Sequence, residues 1–184
     1  MRGMVSKYMF FEKLFYLFFG NNIVIGRHIK EQLGFLGKIV PEEFKGKEMH
    51  DLGCGDGKVT LILKDIFKPK SCIGYDVNKK LVELAQKRGI KTEVLDIEKK
   101  IPCGELAIIW GVLHHLNPPY KVLDKIKNNY EYLFLREPLK KGIALFELGK
   151  PFKKEVIEKH LKESLGQCKS YIYQNAIFVF WKRH

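Results

Sequence analysis

The sequence predicts an α/β fold: a doubly wound, mostly parallel seven-stranded sheet with helices on both faces, an antiparallel C-terminal hairpin strand and an N-terminal helical preface. Three observations predict it. From residue 46 onward short β-rich runs alternate with helical patterns, the signature of a helix-covered parallel sheet. The run HDLGCGDGKVT, residues 50–60, puts an acid and three glycines where a strand passes directly into a helix. Near the C-terminus KSYIYQ and AIFVFW are separated by so little, about Asn175, that only an antiparallel hairpin can join them.

The preface, residues 5–40, reads as helical. Its segment Met9 to Phe19 (MFFEKLFYLFF) is apolar on more than one face, so it either packs on the sheet edge or covers a site. Strands are expected near 47–52, 71–76, 91–95, 105–110 and 130–136. Helices are expected over 57–67, 78–88 and 118–128, and LVELA at 81–85 gives a clear apolar stripe. Between Asp96 and Glu105 the interval is too short for more than loop. Pro151 opens a further helical run, PFKKEVIEKHLKESLG, which Gly166 can end in a left-handed conformation.

At 184 residues the chain suits one domain, 1–184, divided into a lid or cap region over 1–45 and a core over 46–184. A 46% hydrophobic composition without repeats or low-complexity runs excludes wholesale disorder and solenoids. The net charge of +12 makes a nucleic-acid partner conceivable. Scattered Lys beside Glu, as in KKEVIEKHLKE, points instead to a solvated surface. Four cysteines without CxxC spacing suggest neither a disulfide framework nor a metal, so a reducing cytoplasm is expected. Glu12 and Lys13 interrupt the apolar N-terminal segment, which is too short for a transmembrane helix.

Chemistry concentrates at the ends of the expected strands. Glycine after Asp51 lets the backbone turn sharply and approach a ligand, at the strand end where open α/β sheets bind ligands. A dinucleotide fingerprint, G-x-G-x-x-G, fits poorly, because Gly53-Cys54-Gly55-Asp56-Gly57-Lys58 brings the third glycine one residue early. The pattern D-x-G-x-G-x-G instead resembles motif I of the Rossmann-like methyltransferases that use S-adenosylmethionine and release S-adenosylhomocysteine. That resemblance implies that the loop of Gly53, Cys54, Gly55 and Gly57 lies along the cofactor's amino-acid and ribose parts, with Asp51 near its ammonium group. It also implies that Asp76, followed by Val77, accepts the ribose hydroxyl hydrogens, and that Asp96 and Ile97 meet adenine. The run Ile108-Ile109-Trp110-Gly111-Val112-Leu113-His114-His115-Leu116 resembles the segment beside the transferred methyl in enzymes acting on small molecules, including quinone precursors, which adds Trp110 and Gly111 to the candidate site.

A competing signal is Asn117-Pro118-Pro119-Tyr120, which resembles the catalytic loop of amino-nitrogen methyltransferases. In those enzymes the Asn follows the fourth strand at once, a position held here by Trp110, seven residues before Asn117. Helix chemistry offers another role: Asn117 as N-cap and Pro118 at the first helical position.

Methyl transfer from a sulfonium is an in-line displacement that needs a general base only when the acceptor loses a proton. His114 and His115 are the candidates, though each reads first as a structural or pocket-lining residue. Three functions stay open on the sequence: methylation of a small, apolar acceptor; methylation of an amino group on RNA or protein; and a non-catalytic cofactor-binding module.

Overall fold

The computed structural model describes residues 26–140 and 151–183. The segment Met9 to Phe19 lies outside them. A seven-stranded sheet runs β3-β2-β1-β4-β5-β7-β6, where β1 is Glu48–Leu52, β2 Ser71–Asp76, β3 Lys91–Val94, β4 Gly104–Trp110, β5 Tyr130–Pro138, β6 Lys169–Tyr173 and β7 Ala176–Lys182. β1 pairs in parallel with both β2 and β4, so strand order reverses there. β7 inserts antiparallel between β5 and β6. Six strands therefore share one direction and one opposes them, as the sequence predicts.

The helices are α1 (Arg27–Ile39), α2 (Lys58–Phe67), α3 (Lys79–Lys87), α4 (Lys121–Asn129) and α5 (Lys154–Leu165). Each presents a narrow apolar stripe: Thr60, Leu63 and Phe67 on α2, and Ile157, Leu161 and Leu165 on α5, are buried at helical spacing. Asn78 caps α3 by accepting the Lys80 N–H, and Gly166, at φ 75°, ends α5. Residues 95–103 form the expected loop.

The central strands separate two apolar layers. Along β7, Ile177, Val179 and Trp181 face a cluster with α4 and α5, whereas Ala176, Phe178 and Phe180 face a cluster with α1 and α2. Burial on both faces accounts for its unbroken apolar run, each large side chain contributing roughly 1.5–3 kcal/mol. The Trp181 indole N–H donates to the Leu165 carbonyl, so the one polar group in that stretch is satisfied.

Two expected helix starts differ. α4 begins at Lys121, and Asn117 does not cap it: Tyr120 takes that position in helical conformation without a side-chain cap. Pro119 disfavours helical geometry at Pro118, so the helix cannot open there. α5 begins at Lys154 rather than Pro151, because Phe152 is drawn into a bridge with Leu139.

Candidate functional site

The glycine loop leaves the C-terminal end of β1 and is tied to the neighbouring strand. The Gly53 and Cys54 N–H groups both donate to the Tyr75 carbonyl, at 2.7 and 2.9 Å, and Gly57 N–H returns to the Cys54 carbonyl at 3.0 Å. Its glycines divide by role. A Cβ at Gly53, where φ is +94°, would overlap a Val112 methyl, and one at Gly57 would lie 2.5 Å from Ile90 Cδ1. Those two glycines serve packing within the protein. Gly55, at φ +55°, has nothing within 4 Å of its Cβ position, so its face of the loop is open.

Two carboxyls flank the loop. Asp51 is buried, and Thr60 Oγ donates to its Oδ2 at 2.6 Å. Burial pushes it up to about 7 against the Thr60 hydrogen bond, with Asp76 adding to the rise. Asp76 is partly exposed and receives the Gly55 N–H on Oδ2 at 2.9 Å and the Asn78 N–H on Oδ1 at 2.8 Å. Desolvation raises it, and those two hydrogen bonds oppose the rise. Cys54 contributes backbone to the loop while its buried thiol, pushed up by desolvation, packs toward Gly74.

Beyond β2, Val77 is 63% exposed, an apolar side chain standing at the rim beside Asp76. Asp96 follows β3, but its carboxyl is engaged locally by the Glu98 N–H at 3.0 Å and by Lys99 Nζ at 3.1 Å, and Ile97 is turned into the core. On the other side of β1, Trp110 ends β4 with the Arg136 guanidinium 5.4 Å from its ring centroid. Gly111, at φ +68°, donates its N–H to the Arg136 carbonyl.

The strongest polar arrangement at this end centres on Glu137, which sequence reading did not single out. It is fully buried, and its Oε1 receives the Val112 and Leu113 N–H groups, each at 2.8 Å. Its Oε2 lies 2.7 Å from His114 Nδ1. A carboxylate only accepts, so Nδ1–H is the donor in this contact. The His115 ring sits 4.0 Å from that of His114, and desolvation together with His114 pushes it below the ordinary imidazole range. The signal that could have found Glu137 is its place: an acid closing β5, as Asp51 and Asp76 close theirs.

Tyr120 of the Asn-Pro-Pro-Tyr run stacks on His160 of α5 at 3.5 Å and tilts against Phe152. Its ring packs against α5. Among the described residues, no group of three or more His, Cys, Asp or Glu side chains could hold a metal ion.

Residues 50–129, which contain the glycine loop, both flanking acids and the His114-His115 turn, match the family described as a methyltransferase domain. That match covers less than half of the 184-residue chain. No curated protein matches it. Solved structures share the fold at low identity. The magnesium protoporphyrin IX methyltransferase ChlM from Synechocystis PCC 6803, with S-adenosylmethionine bound, is similar at 15% identity with a TM-score of 0.67, over 92% of this chain and 89% of that one. The S-adenosylmethionine-dependent methyltransferase SibL gives 0.69 at 14% identity over 84% of this chain and 55% of its own. The mitomycin 7-O-methyltransferase MmcR gives 0.64 at 17% identity, over 84% and 53%. This chain thus spans about half the length of the latter two proteins.

Proposed function

We propose that this chain transfers a methyl group from S-adenosylmethionine to a small, apolar acceptor that gives up a proton, and that residues 46–184 form the enzyme core with 1–45 as its cap. One observation carries the reading: the open face at Gly55 lies between a buried acid, Asp51, and an acid at the ribose position, Asp76, where strand order reverses. These residues fit the cofactor. Gly55 admits close approach, Asp51, buried against Thr60, would act on an ammonium group through water, and Asp76 can accept diol hydrogens on the lone pairs that Gly55 and Asn78 leave available.

Bound there, the cofactor supplies a methyl on a sulfonium already activated for displacement. The chain's own residues do the rest. Trp110 and Gly111 border the acceptor, and the apolar surround excludes water. His114 Nε2 takes the acceptor's proton, and the Glu137 carboxylate holds Nδ1–H and balances the imidazolium that forms. Several similar structures are described as O-methyltransferases, and a hydroxyl acceptor suits a base of this kind. A cytoplasmic setting belongs to the reading and is supported by Cys54, Cys72, Cys103 and Cys168 all being free. Among the described residues no helix is long and apolar enough to cross a membrane.

Calorimetric titration with S-adenosylmethionine, S-adenosylhomocysteine and NAD tests the reading, with Asp76→Ala in parallel. Both sulfur compounds should bind one per chain, Asp76→Ala should weaken them at least tenfold, and NAD should give no heat. Binding of NAD alone would overturn it.

A further inference from the structure

At the end of the sheet where the parallel strands begin lies a cleft of about 460 Å³ lined by Pro41, Phe44, Cys168, Lys169, Phe180 and Lys182, with Glu43 also on its wall. Lys169 starts β6, Lys182 ends the opposed β7, and Lys47 precedes β1. The glycine loop follows the far end of β1, five residues and about 16 Å of strand away. The cleft therefore stands apart from the methyl-transfer site.

Two ammonium groups, those of Lys169 and Lys182, line the cleft, and a third, that of Lys47, shares the Tyr132 ring with Lys182. Lys47 Nζ is 4.9 Å and Lys182 Nζ 5.6 Å from the centroid of the same Tyr132 ring, and Lys169 Nζ is 5.4 Å from that of Tyr171. Among the described residues none of the three has a carboxylate within 4.0 Å, whereas nearby Lys45 and Lys70 pair with Glu42 and Glu105. The Tyr132 ring orients Lys47 and Lys182 without neutralising them, and Lys169 is held by a hydrogen bond to the Tyr171 side chain as well. Glu43 acts on Lys169 and Glu105, itself paired with Lys70, acts on Lys47, which leaves a net positive cleft that favours an anion.

We infer that this cleft is a second binding site, taking a phosphate-bearing ligand through Lys47, Lys169 and Lys182. Phosphate is preferred over carboxylate because among the described residues no arginine lines the cleft to offer a planar fork, and lysine recognises phosphate as a point charge. The volume lies within the range of small-ligand sites, with Phe44, Phe180 and Cys168 giving an apolar wall beside the charges.

The test titrates the full chain with pyrophosphate, AMP and a ten-nucleotide single-stranded RNA, using wild type, the triple variant Lys47→Gln/Lys169→Gln/Lys182→Gln, the corresponding triple Arg variant, and Lys159→Gln as a surface control. Saturable binding should weaken at least tenfold in the triple Gln variant and persist in the Arg variant and the control. S-adenosylmethionine affinity should stay within twofold throughout, which separates this site from the catalytic reading. Lysine-dependent binding of pyrophosphate or AMP identifies a free phosphate compound as the source, and dependence seen with RNA alone identifies the nucleic-acid backbone. If no probe binds, or the triple Gln variant binds as well as wild type, the inference fails.

Discussion

Asp51→Asn should uncouple cofactor binding from pH. The buried carboxyl rises from an ordinary 3.8 to about 7, roughly three units, which corresponds to about 4 kcal/mol at 1.36 kcal/mol per unit. The folded chain holds this proton between those two values while the unfolded chain releases it. Stability from this group is therefore full below about pH 4 and declines as pH rises toward 7. A cationic group placed beside Asp51 favours the carboxylate, so binding expels the proton. Affinity for S-adenosylmethionine should rise up to tenfold per pH unit between about 5 and 7 and then level off. Asn keeps the shape and the Thr60 contact but cannot ionise. The variant should be more stable than wild type at pH 8 by up to about 4 kcal/mol, bind the cofactor more weakly there, and show a flat pH profile. Calorimetry in two buffers of different ionisation enthalpy reads proton release directly, and urea titration at pH 5 and 8 reads stability. A pH-independent wild-type affinity with no proton released would refute the reasoning.

Glu137→Gln should lower turnover about 10²–10⁴-fold with little change in S-adenosylmethionine affinity, because the amide can still accept the Val112 and Leu113 N–H groups but presents N–H to His114 Nδ1. Nitrogen-15 NMR of the imidazole should report the Nδ1–H tautomer in wild type and its loss in the variant. Gly53→Ala should cost about 2–5 kcal/mol in a denaturant titration, from a strained positive φ and overlap with Val112. Asn117→Ala should change stability by less than about 0.5 kcal/mol, since the residue is exposed and does not cap α4; a loss above 1 kcal/mol would restore the cap.

The strands were legible because their apolar runs are short and their boundaries carry Gly, Pro or Asp. The positions of Asp51, Gly55 and Asp76 were legible for a related reason: each stands at a strand end, and a strand end has a sequence signature. Glu137 also closes a strand, but no glycine follows it to mark the place, and its partners are backbone N–H groups of Val112 and Leu113 brought near by the β4–β5 pairing. Asn117 misled because Asn-Pro is a sound helix start in isolation, and the second proline vetoes it. Asp96 was placed correctly after β3, but its capture by Lys99 depends on side-chain geometry that spacing does not encode.

Placing β7 between β5 and β6 also sets an order of events during synthesis. β5 emerges early and stays buried on both faces in the finished sheet, yet one of its edges finds its partner only when residues 176–182 arrive. Until then its nine residues present an open, apolar edge able to template pairing with another chain. A chain truncated before Ala176 would keep every residue of the glycine loop and still be prone to aggregate.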